Sequence, residues 1–156
     1  MPITHQLAML FLKEARAFVE LLKGSNKKAR ALTFYSENTA YTKFFEGLIE
    51  EILRQSDLEI CYLTSDARDP FFQKESERLK VYYVNKLLPF LILLLDSKAL
   101  VMTMPDLHQY YVRRSINGAH HFYFFHAMVS THMIYRKGAF DHYDTIFCVG
   151  PHHIEE

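Results

Sequence analysis

From Ala29 onward, short apolar runs alternate with stretches of helical periodicity, and this alternation most constrains what the chain can fold into. Ala29–Tyr35 (ARALTFY) reads as a strand. Tyr41–Arg54 reads as a helix with Phe44, Phe45, Leu48, Ile49, Ile52 and Leu53 inward. Glu59–Thr64 is a second strand, followed by Ser65-Asp66 and a turn at Asp69-Pro70. Leu79–Val84 is a third, Lys86–Asp96 a helix and Ala99–Met104 a fourth strand. After Pro105-Asp106 a polar and aromatic stretch runs to Ser115, and His121–Phe125 and Thr145–Val149 supply two more strands. Strand–helix–strand units of this length imply a parallel sheet with helices on both faces, so the expected fold is a Rossmann-like α/β domain over residues 29–156.

Residues 4–23 precede that domain as an amphipathic helix. Leu7, Leu10, Phe11, Ala15, Phe18, Leu21 and Leu22 share one side, and Lys13, Glu14, Arg16, Glu20 and Lys23 the other. Gly24-Ser25-Asn26 ends it, and Lys27, Lys28 and Arg30 follow. Two uses fit the pattern: a helix docked on its own domain, or one lying on an anionic membrane surface through residues 4–30.

Charge narrows the function classes. The chain has 18 basic and 18 acidic residues, which argues against a general nucleic-acid binder. No signal peptide is evident, and the longest apolar run, Leu87–Leu95, is about half the roughly 20 residues that a membrane-spanning helix needs. Cys61 and Cys148 lie in apolar runs without CxxC spacing, which reads as buried free thiols in a reducing cytoplasm. The expected location is therefore cytoplasmic, peripheral on the inner face of the membrane if the first helix binds lipid.

In a parallel sheet, ligands collect outside the carboxyl ends of the strands. The residues falling there are Ser36-Glu37-Asn38, Ser65-Asp66, Pro105-Asp106, His126 and Gly150-Pro151-His152-His153. Common cofactor signatures are missing: no GxGxxG follows the first strand, and there is no GxxxxGK[ST] or GxSxG. Seven of the nine histidines lie between His120 and Glu156, yet their spacing matches no metal-ligand motif, so neither metal nor cofactor is expected.

His126 follows an apolar strand, so its imidazole should emerge at the sheet's carboxyl edge, positioned to take a proton from an attacking hydroxyl. The same spacing fits a histidine that only satisfies loop carbonyls. Asp106 and Glu37 are the carboxylates best placed to orient it or to hold a polyol acceptor; each is equally a candidate helix or loop cap. Ser130 is read as a cap or a phosphate ligand, and Arg113 and Arg114 as phosphate ligands or a solvated face.

FYSEN (34–38), YLTSD (62–66) with Asp69-Pro70, TMPDLH (103–108) and FHAMVSTHMIYRKGAFDHYDTIFCVGPHH (125–153) together resemble the N-terminal half of bacterial CDP-glycerol glycerophosphotransferases, the family of the teichoic-acid polymerases. The resemblance covers nearly all of the chain from Arg30. It implies one half of a GT-B transferase in cell-envelope synthesis, with acceptor binding and a catalytic base here and CDP-glycerol bound by a donor half. It implies His126 as general base, with Asp106 and Glu37 beside it. Ser36, Asp66, Ser130, His132, Arg113, Arg114, His152 and His153 then become substrate-binding candidates. Phe125-His126-Ala127 stands where the polymerases carry Trp-His-Gly, and no donor half is recognisable before Glu156, so the chain alone is expected to be inactive. Two alternatives stay open: a non-catalytic binding or scaffold domain derived from that fold, and half of a nucleotide-sugar glycosyltransferase or epimerase relative.

Overall fold

A computed structural model describes residues 3–23, 27–126 and 128–156. Its elements run in order α1 (Ile3–Leu22), β1 (Leu32–Ser36), α2 (Thr39–Gln55), β2 (Ile60–Thr64), a 3₁₀ turn (Pro70–Gln73), β3 (Leu79–Tyr83), α3 (Leu88–Leu94), β4 (Ala99–Met102), β5 (His120–Phe124), α4 (Thr131–Ile134), β6 (Thr145–Phe147) and α5 (His152–Glu155). The six strands form one sheet in the order β3-β2-β1-β4-β5-β6, and every neighbouring pair is parallel. This is the expected Rossmann-like fold. Its chain reverses direction across the sheet between β1 and β4, the switch point where such sheets open a crevice.

The central strands form where the sequence is largely buried on both faces. All five residues of β2 are buried, as a central parallel strand requires. One face of the sheet packs Phe34, Tyr62 and Val81 against Phe45 and Ile49 of α2. The other gathers Tyr35, Leu63, Leu100 and Tyr123 with Leu91 and Ile92 of α3. Asn38 starts α2 by accepting from the Ala40 amide at 2.9 Å. Asp69 starts the 3₁₀ turn by accepting from Phe71 N at 3.0 Å, with Pro70 supplying the first turn position.

Helix α1 corrects the expectation for its faces. Ala17 and Leu21 join the core, but Leu7 and Phe11 are more than half exposed, and Glu14, assigned to the solvent side, is only 2% exposed. The Glu14 carboxylate accepts from the backbone amides of Asn85 and Leu87, each at 2.6 Å, and so fastens α1 to the loop entering α3. Those two amides precede a helix start and have no intrahelical acceptor, a need that periodicity does not register. The proposed helix stop at Gly24-Ser25-Asn26 lies outside the described residues.

Cysteine burial also divides. Cys61, within β2, is buried and its thiol is pushed up to about 12 by burial; Cys148 is exposed, continuing the exposure of Ile146 and Phe147 in edge strand β6. No described helix is long and apolar enough to cross a membrane.

Strand register brings the site to one edge. Tyr35 of β1 lies opposite Met102 of β4, and Met102 opposite Tyr123 of β5. The three strands therefore end nearly level, and Glu37, the segment after Met102 and the residues after Phe124 emerge side by side.

Candidate functional site

At this edge a cavity of about 210 Å³ is lined by Glu37, Met104, Pro105, Asp106, Tyr110, Tyr111 and Val112. Glu37 is half-buried, and its carboxyl titrates above the ordinary range because burial disfavours the charge. Among the described residues no hydrogen bond or ion pair reaches that carboxylate; its field is instead felt by the hydroxyls of Tyr35, Tyr41, Tyr123 and Tyr143, all shifted upward chiefly by their own burial. An unpaired, partly desolvated carboxylate at a switch point is the kind of group that binds or moves protons.

Asp106 differs. It sits in left-handed backbone (φ 62°), which aspartate tolerates better than most side chains, and its amide donates to the Ala139 carbonyl at 2.8 Å. Arg136 Nε donates to Asp106 Oδ1 at 2.6 Å. The same guanidinium donates to Gln109 and lies 4.8 Å from the centre of the Tyr110 ring. Asp106 therefore lines the cavity as one half of an ion pair.

His126 lies two residues past β5, half-buried against the start of α2. Tyr41 meets its ring edge-on at 4.8 Å between centroids, and Phe44 at 5.5 Å. Burial holds the imidazole below its ordinary pKa, with the Phe124 carbonyl pulling the other way. Its buried Nδ1 lacks a well-formed hydrogen bond among the described residues. Burial thus favours the neutral form of the ring, and aromatic packing fixes its position. The carboxylate expected to orient it is not found in that role: Asp106 is held by Arg136, and Glu37 acts on Tyr41 rather than on the imidazole. Ala127, where the resembling motif has glycine, lies outside the described residues.

The other expected ligands are dispersed by the fold. Ser36 is fully buried, and its hydroxyl donates to the Asn38 carbonyl at 2.9 Å, so it closes the turn into α2. Asp66 accepts from Thr39 and, at 2.9 Å, from the Arg68 amide; these bonds, Thr39 first, hold it below the usual carboxylate range. Ser130 donates to Glu156 at 2.5 Å, and the adjoining Thr131 amide to the same carboxylate at 2.6 Å. Arg113 reaches the His108 carbonyl at 2.6 Å from an exposed position. Arg114 grips Asp144 with paired bonds of 2.8 and 2.9 Å, joining the segment before β5 to the one before β6. His132 is exposed beside a second cavity of about 540 Å³ that also takes in Arg136 and Lys137. His152 is exposed. His153 is buried, stacked on Phe125 at 4.2 Å, with Nε2 2.9 Å from the Val129 carbonyl. Packing explains most of this: short polar side chains next to strand ends are drawn to the nearest unpaired backbone group.

Tyr41, Tyr110, Tyr111 and Arg136 belong to the site and were not singled out. Their signal in the sequence is faint: adjacent tyrosines in an irregular segment (HQYYVRR), and an arginine thirty residues from the acid it pairs with.

Comparison of the chain with protein-family models, with curated proteins and with solved structures gave no match. The functional reading therefore rests on the geometry of this edge and on the motifs in the sequence.

Proposed function

We propose that the chain is the acceptor-side half of a glycerophosphotransferase-like enzyme, with His126 as general base. The observation supporting this most directly is the state of that histidine: a half-buried imidazole whose charged form burial disfavours, at the same carboxyl edge of the sheet as the cavity that Glu37 and Asp106 line. An acceptor hydroxyl gives its proton to His126, and its oxygen forms a bond to the β-phosphorus of CDP-glycerol. The bond from that phosphorus to the bridging oxygen breaks, CMP leaves with that oxygen, and glycerol phosphate is carried to the acceptor. A second α/β half binds the nucleotide. Mixed with such a half, this chain should transfer labelled glycerol phosphate, and His126→Ala should abolish transfer. Transfer that survives in that variant removes His126 as the base.

One observation favours a second reading. No acid is hydrogen-bonded to His126 among the described residues, as a scaffold or binding domain derived from the fold would allow. That reading requires binding at the cleft without transfer under any donor half.

A peripheral membrane position is part of the proposal. Leu12 and Val19 of α1 are each more than half exposed, on the side away from Glu14, with Arg16 and Lys23 beside them. Binding to vesicles containing anionic lipid should fall when Leu12 and Val19 are both changed to Ser; unchanged binding removes the membrane role of α1.

A further inference from the structure

The charge balance of the switch-point cavity says which part of an acceptor it can hold. Glu37 contributes a carboxylate without a hydrogen-bonding or ion-pairing partner among the described residues. Asp106 contributes a second, and Arg136, the cation on this rim, already bridges Asp106 and Gln109. The residues lining the cavity include no lysine or arginine, so a phosphate seated here would face Glu37 without a lining cation to offset the repulsion. Hydroxyl groups meet the opposite situation, because an unpartnered carboxylate accepts their hydrogen bonds strongly. Tyr110 and Tyr111 supply aromatic surface: they are 61% and 71% exposed, and among the described residues no ring or cation covers Tyr111. About 210 Å³ is below the roughly 300–1,000 Å³ of sites for drug-sized ligands, so the cavity takes one small unit.

We propose that this cavity binds a neutral, hydroxyl-rich unit of monosaccharide size, with its hydroxyls on Glu37 and its apolar ring face on Tyr111, and that it excludes phosphate. The proposal deepens the acceptor reading and rests on it for the identity of the reacting group: the acceptor's terminal hydroxylated unit enters the cavity, and any phosphate it carries stays outside.

The test is amide chemical-shift titration of the full chain with methyl β-D-glucopyranoside, glycerol and glycerol 3-phosphate. The pyranoside should shift the amides of Glu37, Tyr110 and Tyr111, glycerol should do so more weakly, and glycerol 3-phosphate should leave them unmoved. Tyr111→Ala and Glu37→Gln should each weaken pyranoside binding about tenfold, the loss of one good contact. Tyr111 is exposed, so that variant keeps the test valid if the Glu37 change disturbs folding. Binding of this pattern supports the assignment whatever the transfer assay gives, while transfer failing under every donor half removes only the catalytic reading. No shift with the pyranoside, glycerol 3-phosphate binding as well as the sugar, or undiminished affinity in Tyr111→Ala each overturns the proposal.

Discussion

Tyr41 stands edge-on to His126, the ring centroids 4.8 Å apart and the planes inclined at 75°. The contact joins the first turn of α2 to the residue just past β5, and it is one of two aromatic contacts holding the imidazole out of water. Replacing Tyr41 with Ala should hydrate His126 and let its pKa rise toward the ordinary value of about 6.5. Tyr41→Phe keeps the ring and should leave the titration nearly unchanged. Imidazole resonances followed against pH separate these outcomes, and equal behaviour of the two variants would mean that the packing does not control the histidine.

The same depressed pKa sets the pH dependence of transfer. A general base must be neutral to accept a proton, and a lowered pKa keeps it neutral further into acid. In the reconstituted enzyme the acid limb of kcat/KM should therefore fall below pH 6.5. A limb above that value would assign the essential base to another group.

Asp69 is a stability centre that acts through hydroxyls rather than cations. Its Oδ2 accepts from Thr64 at 2.8 Å, Thr42 at 3.0 Å and Tyr62 at 3.1 Å, and the residue is 2% exposed. Asp69→Ala leaves three buried hydroxyls without this acceptor and removes the cap on Phe71 N, so it should cost about 2–4 kcal/mol. Chemical denaturation measures this directly; a loss under about 1 kcal/mol would show that the hydroxyls find other partners.

His121 gives the fold an acid limit. It is fully buried, its Nδ1 lies 2.8 Å from the Ala119 carbonyl, and burial, reinforced by Arg114, pushes its pKa down to about 4. The unfolded chain takes up this proton near pH 6.5 and the folded one near 4. The stability tied to keeping His121 neutral is therefore complete above about pH 6.5 and is lost as the pH falls toward 4. The effect is on the order of 2 kcal/mol after discounting for screening by nearby solvent. His121→Gln should flatten the fall in unfolding free energy between pH 7 and 5, and an unchanged slope would place the acid sensitivity elsewhere.

Glu14 makes the position of α1 testable. Removing its carboxylate frees two amides at the entry to α3, and Glu14→Ala should cost about 1–3 kcal/mol and speed hydrogen exchange along α1 and at Asn85 and Leu87. Faster exchange confined to α1 would show that the loop holds its shape unaided.

The sheet was legible because its central strands are buried on both faces: ICYLT has no alternative to a central position, and LTFYS behaves likewise. What stayed hidden depended on contacts distant in sequence. Glu14 sits at a polar position of a helical wheel, yet the amides that donate to it are about seventy residues away. Asp69 reads as a turn residue before proline, and nothing local announces that three hydroxyls converge on it. At the site, Glu37 and His126 were legible as strand-end residues. That Asp106 belongs to Arg136, and that two tyrosines line the cavity, follows from the irregular path of residues 103–119, where no helical period exists to be read.

The bonds between Arg136 and its partners have a further consequence. Arg136 is 44% exposed and Asp106 21%, so this pair ties residue 136 to the rim of the cavity through charge rather than packing, while strands β1 and β4 beneath are largely dry. Such a latch weakens as ionic strength rises, and the strands do not. Added salt should therefore loosen this corner of the rim well before it affects the melting of the molecule.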